Sequence, residues 1–189
     1  MQDSVSTNTT TNTLAQYRDI VNRCKDLYVK KAADYGTSWR VLRAISIVDQ
    51  IYIKAWRIRQ IQETGTQKIG DTIESEFVGI VNYGIIALIQ EALPADAGID
   101  LSAEEARKWY EEKAQEIEDL MQQKNHDYGE AWRELSQQSF VDLILVKLLR
   151  IKQIIANEGQ TTVSEGADAN FCDIVNYAIF ALIKMQEAK

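Results

Sequence analysis

The sequence predicts an all-α fold, a pseudo-twofold helical bundle of two tandem three-helix repeats, and three observations carry that prediction. Proline occurs once, as Pro94. Apolar residues recur at helical spacing from Leu14 onward. The chain also repeats itself: Lys31–Glu63 aligns without a gap on Lys124–Ala156 with 16 of 33 positions identical, and Ile80–Gln90 aligns on Ile174–Lys184 with 8 of 11 identical. Two diverged copies in one molecule reveal which positions resist drift. Many of those positions are polar.

Residues 1–13 are rich in Ser, Thr, Asn and Gln and hold no apolar stretch, so a disordered start is expected rather than a signal peptide or membrane anchor. Repeat one, residues 14–92, divides into helices over about Leu14–Ala33, Trp39–Gln62 and Asp71–Ala92. A linker over 93–102 follows, marked by Pro94 and Gly98. Repeat two, residues 103–189, gives helices over about Ala103–Lys124, Trp132–Asn157 and Glu165–Ala188. Ser102 and Glu105 form a capping-box signature at the start of the fourth helix. Gly36 and Gly129 stop the first helix of each copy, and Gly65 and Gly159 the second. A three-helix unit alone leaves apolar surface uncovered, so the copies are expected to cover each other in one fused bundle descended from a homodimer. Two separate bundles joined by the linker are the alternative.

A chain of 189 residues can bury roughly 70% of its unfolded surface. Its 46% hydrophobic and 26% charged content are those of an ordinary globular protein. With 21 Lys and Arg against 28 Asp and Glu the net charge is −7, which argues against a nucleic-acid partner. Cys24 and Cys172 form no C-x-x-C pair, so a reducing cytoplasm is the expected compartment, with no membrane partner. Association into a homo-oligomer is compatible with the composition.

Three motifs survive in both copies. The first is Lys-x-x-Asp-Tyr-Gly-x-x-Trp-Arg: Lys31, Asp34, Tyr35, Gly36, Trp39 and Arg40, matched by Lys124, Asp127, Tyr128, Gly129, Trp132 and Arg133. It reads as a helix corner, with Asp capping the next turn and the aromatic residues packing across it. No cap requires the lysine. The second lies on helix two, where Asp142, Arg150 and Lys147 fall at about 0°, 80° and 140° on a helical wheel, with Ser139 near 60°. Copy one carries the same set at Ser46, Asp49, Lys54 and Arg57. The rest of that helix in copy two is apolar nearly all round and is expected to be buried. Buried charges need compensation, from an internal ion-pair network or from a ligand phosphate. The third motif is Ile-Val-Asn-Tyr, giving Asn82 and Tyr83 and their partners Asn176 and Tyr177. Beside it the copies diverge: Glu76 and Gly79 in copy one stand where copy two has Asn170 and Asp173. Glu76 and Asp173 are candidate ligands for Mg²⁺, or else counter-charges to the cations of helix two.

Together, Lys-x-x-Asp-Tyr-Gly-x-x-Trp, Asp-x-x-x-x-Lys-x-x-Arg-Ile and Asp-Ile-Val-Asn-Tyr resemble the nucleotide modification associated domain 1 family, in a two-copy arrangement. The resemblance implies a link to nucleotide or modified-base metabolism. A more distant similarity is to all-α nucleoside triphosphate pyrophosphatases of the MazG and dimeric dUTPase type, through Asn-x-x-Asp at Asn170 and Asp173. That similarity implies Mg²⁺-dependent hydrolysis, although the paired Glu-x-x-Glu of those enzymes is replaced by Asp142, Lys147 and Arg150.

The leading expectation is a nucleotide or nucleoside phosphate bound between helices two and three. Lys54, Arg57, Lys147, Arg150, Lys31 and Lys124 would take phosphates, and Tyr35, Trp39, Tyr83, Tyr128, Trp132 and Tyr177 would stack on the base or form the corner. Asp49, Asp142, Asn82, Asn176, Asp34 and Asp127 would complete a polar site. If the protein is an enzyme, metal-assisted phosphoanhydride hydrolysis is its reaction. The rival expectation is a non-catalytic helical scaffold or interaction module whose charges are structural ion pairs.

Overall fold

The computed structural model describes residues 3–94, 96–163 and 165–188, with side chains from residue 12 onward. Six α-helices follow one another: α1 Asp3–Tyr35, α2 Ala44–Thr64, α3 Ile73–Ala92, α4 Ala103–Tyr128, α5 Gln137–Ala156 and α6 Ala167–Glu187. No strand occurs among the described residues. Short 3₁₀ turns at Ser38–Val41 and Ala131–Glu134 precede α2 and α5.

The local chemistry explains most boundaries. Gly36, Gly65 and Gly129 take the left-handed conformation that closes α1, α2 and α4. Ser102 and Glu105 form the reciprocal capping box that opens α4, and Thr72 and Ser136 cap α3 and α5 through the N–H groups of Ser75 and Ser139. Two boundaries depart from the sequence reading. Trp39 and Trp132 sit in the 3₁₀ turns rather than opening α2 and α5, because Leu42 and Leu135 are extended and separate turn from helix. The expected disorder before Leu14 is also replaced by helix from Asp3 onward. No Gly or Pro interrupts that stretch, and the turn before Leu14 is anchored where buried Thr13 accepts a hydrogen bond from Arg133 at 2.6 Å. Met1 and Gln2 lie outside the described residues.

The four helices α2, α3, α5 and α6 form the central layer. Within each copy α2 packs on α3 and α5 on α6, while α2 meets α5 and α3 meets α6 between copies. The α3–α6 crossing is close, since a Cβ at Gly84 would lie 2.5 Å from Val175 Cγ2. Phe77, Ile80, Ile85 and Ile89 meet Phe140, Ile144, Ile174 and Ile179 in a single core, each contributing roughly 1.5–3 kcal/mol through burial. Helix α3 is long and apolar enough to span a membrane, yet 67% of that stretch is buried inside the bundle.

Helices α1 and α4 lock the copies together, because each packs on the last helix of the other copy. Tyr17 of α1 donates to Asn176 Oδ1 of α6 at 2.7 Å, and Tyr110 of α4 donates to Asn82 Oδ1 of α3 at 2.8 Å. Between α1 and α4, Arg18 pairs with Glu118 at 2.7 Å and Lys25 with Glu111 at 2.9 Å. The two helices are therefore antiparallel, and position 18 meets position 25 of the other repeat in both directions. That reciprocity is the signature of an isologous interface. Thr37, buried at the first corner, donates to the Ile99 carbonyl and accepts from the Leu101 N–H, which ties the linker down.

Candidate functional site

The shared corner is built the same way twice. Gln90 donates to the carbonyls of Arg40 and Leu42, and Lys184, at the matching position, donates to those of Arg133 and Leu135. Both tryptophans are buried by this anchoring, and Trp132 stacks on Phe180 with centroids 4.3 Å apart. Asp34 and Asp127 do not cap the following turn as expected. They lie inside the last turn of α1 and α4 and face solvent, Asp127 touching His126 at 3.1 Å. Tyr128 is exposed.

The charges of the second motif separate into two functions. Asp49 and Asp142 are partners across the copies: Asp49 pairs with Lys152 at 2.7 Å and Asp142 with Arg59 at 3.6 Å, again reciprocally. Helix α5 is not buried all round either. Its main neighbours are α2 and α6, and Val146, Leu149, Asp142 and Arg150 reach solvent.

Lys54 and Arg57 instead converge on buried Glu76 in copy one, Lys54 at 3.3 Å, and Arg57 also donates to the Asp71 carbonyl at 2.8 Å. In copy two Lys124 and Lys147 converge on buried Asp173, at 2.5 and 2.6 Å. Glu76 aligns with Asn170 and Asp173 with Gly79, so the carboxylate has moved by three residues, one helical turn, along the same helix. The move changes which cation is left over. Among the described residues Lys31 has no ion-pair partner in copy one, and Arg150 has none in copy two.

The open volume follows the unpaired cation. Copy one has a cavity of about 520 Å³ walled by Lys31, Tyr35, Trp39, Lys54, Asp71, Ser75, Glu76, Gly79 and Tyr83. Two polar atoms in its buried wall, the Tyr28 hydroxyl and the Trp39 indole N–H, complete no hydrogen bond. Burial pushes the Tyr28 phenol up to about 12, with the Trp39 N–H opposing that rise. Burial also raises the Tyr35 phenol, and Tyr83 beside it adds to the rise. In copy two an open space of about 750 Å³ lies along Lys147, Arg150, Asn157, Gln160 and Asn170.

A sequence model described as nucleotide modification associated domain 1 matches residues 31–90 and 124–185, about two thirds of the chain. The chain belongs to that family. Its two family domains are the two copies, and each match begins at the aligned lysine, Lys31 or Lys124, and ends with the residue that holds the corner carbonyls or just beyond it. No curated protein and no solved structure matches the chain.

Within the family domains, Asn82 and Asn176 serve the fold. Besides accepting from Tyr110, Asn82 donates to the Cys24 carbonyl at 3.1 Å. Glu76 and Asp173 each sit between two cations, and among the described residues no three His, Cys, Asp or Glu side chains gather to hold a metal. Mg²⁺ needs carboxylate oxygens with room for several waters, and this donor set does not fit it. Burial alone would raise the Asp173 carboxyl, but Lys124 and Lys147 outweigh it and hold the group below the ordinary aspartate value.

Some partners fall outside the motifs. Tyr17 and Tyr110, Arg18 and Glu111, Lys25 and Glu118, and Arg59 and Lys152 all obey the same 93-residue shift. Carrying the alignment back through α1 finds the tyrosines. The charged pairs stay hidden there because one copy reversed sign.

Proposed function

We propose that the copy-one cavity binds a nucleotide or nucleoside phosphate. The observation that carries this reading is the convergence of drift-resistant residues on one space: Lys31, Tyr35, Trp39, Lys54 and Tyr83 all wall the same cavity. Its volume of about 520 Å³ falls in the ~300–1,000 Å³ range of small-molecule sites. The ammonium groups of Lys31 and Lys54 suit a phosphate as point charges, and Tyr35 and Tyr83 offer aromatic faces to a base. Membership of a family described by nucleotide modification is in keeping with such a ligand. Binding is the extent of the proposal.

The test is the melting temperature of the full chain with nucleoside mono-, di- and triphosphates at low ionic strength. A ligand at 100 times its Kd stabilises the fold by about 2.7 kcal/mol, and Lys31→Ala should remove that gain without lowering the melting point of the free protein, because Lys31 is exposed and unpaired. Absence of a shift with every nucleotide sinks the reading. The scaffold alternative draws on copy two, where Asp173 neutralises Lys124 and Lys147 from within, and it is what such a negative result would leave standing.

A further inference from the structure

We propose that copy one contains a seat for a single phosphoryl group beside Gly79, between Lys31 and Lys54, and that the Asp173 carboxylate fills the equivalent seat from within in copy two. The proposal rests on the reading of copy one as the ligand-binding copy and specifies the group that it recognises.

Copy two supplies the template. One Asp173 oxygen meets Lys124 Nζ at 2.5 Å and the other meets Lys147 Nζ at 2.6 Å, so one anionic group bridges two ammonium groups. The repeat maps Lys124 on Lys31, Lys147 on Lys54 and Asp173 on Gly79. Copy one therefore keeps both cations and lacks the side chain that bridges them. Lys54 lies directly over Gly79, its Cδ and Cε each 2.8 Å from where a Cβ would stand, and the cavity opens beside it. Lys31 has no ion-pair partner among the described residues. The Tyr28 hydroxyl and Trp39 indole N–H lie more than nine-tenths buried in the same wall, close enough for the N–H to act on the phenol oxygen. A phosphoryl group presents the same pair of bridging oxygens as Asp173 and a third besides. Glu76, bound to Lys54, repels further charge, and the seat consequently favours one phosphoryl group over a triphosphate chain.

Titration calorimetry of the full chain at low ionic strength, with inorganic phosphate and a nucleoside monophosphate as probes, tests this directly. The wild type should bind one equivalent of each, and the nucleoside triphosphate more weakly. Gly79→Asp should weaken both at least tenfold with an unchanged or higher melting temperature, since the new Cβ meets only the flexible end of Lys54. Asp173→Gly should add a second equivalent of phosphate. If Asp173→Gly does not fold, Gly79→Asp decides alone. Undiminished binding in folded Gly79→Asp overturns the seat and leaves the nucleotide reading intact. Phosphate binding without any nucleotide binding upholds the seat and overturns that reading. Two equivalents bound by the wild type, or a triphosphate preferred to the monophosphate, overturns the proposal.

Discussion

Tyr17 donates its hydroxyl to Asn176 Oδ1 at 2.7 Å, from the first helix of one repeat to the last helix of the other. Tyr110 and Asn82 repeat the contact in the opposite direction. These buried bonds explain the persistence of Asn in both Ile-Val-Asn-Tyr motifs without calling on a ligand. Removal of one hydroxyl strands an amide oxygen in the core, and an unsatisfied buried acceptor costs about 1–3 kcal/mol. Tyr17→Phe should lower the unfolding free energy by that amount in urea titrations, with nucleotide-induced stabilisation preserved.

Asp142→Asn is expected to do little. Its pair with Arg59 spans 3.6 Å, and the two side chains are 59% and 41% exposed. Exposed pairs contribute less than about 1 kcal/mol. Denaturant midpoints of wild type and variant should nearly coincide, and so should their nucleotide-induced melting shifts. Loss of the shift would return Asp142 to the binding site.

Asp173 gives the molecule an acid-sensitive element. Burial works against its charge, but the two lysines prevail and its carboxyl titrates below the ordinary aspartate value when folded. A depressed folded pKa contributes stability above the unfolded value, near 3.9, and that contribution is lost as pH falls through the folded value. Unfolding free energies measured from pH 6 down to about 2 should therefore decline more steeply for the wild type than for Asp173→Asn. At neutral pH the variant should be less stable by about 1–3 kcal/mol, short of a fully buried pair because the Lys124 side chain is 44% exposed.

Helix identity was legible in the sequence because apolar spacing, glycine stops and the Ser102–Glu105 box all act locally. The 3₁₀ turns were not, since Trp39 and Trp132 depend on carbonyls held by Gln90 and Lys184 about fifty residues away. The duplication marked residues but not their contacts. Asp49 and Asp142 pair between repeats, whereas Lys31 and Lys54 wall one cavity in copy one and Lys124 and Lys147 share one carboxylate in copy two. A one-turn shift of the carboxylate from Glu76 to Asp173 is visible in the aligned letters. Its effect on which cation stays unpaired depends on side-chain reach and needs coordinates.

The α1–α4 pairs also restrict how chains can associate. Copy one contributes both cations, Arg18 and Lys25, and copy two both carboxylates, Glu111 and Glu118. Like-with-like docking would set Arg18 against Lys25, whereas exchange of unlike halves between two chains would recreate every native contact. Only the linker would differ in its path, and the Thr37 bonds to Ile99 and Leu101, with those of Arg40 to Ala97 and Gly98, hold it closed. Breaking them together, by Thr37→Val with Arg40→Ala, is the change that would let concentrated protein trade halves and emerge as an intertwined pair of chains.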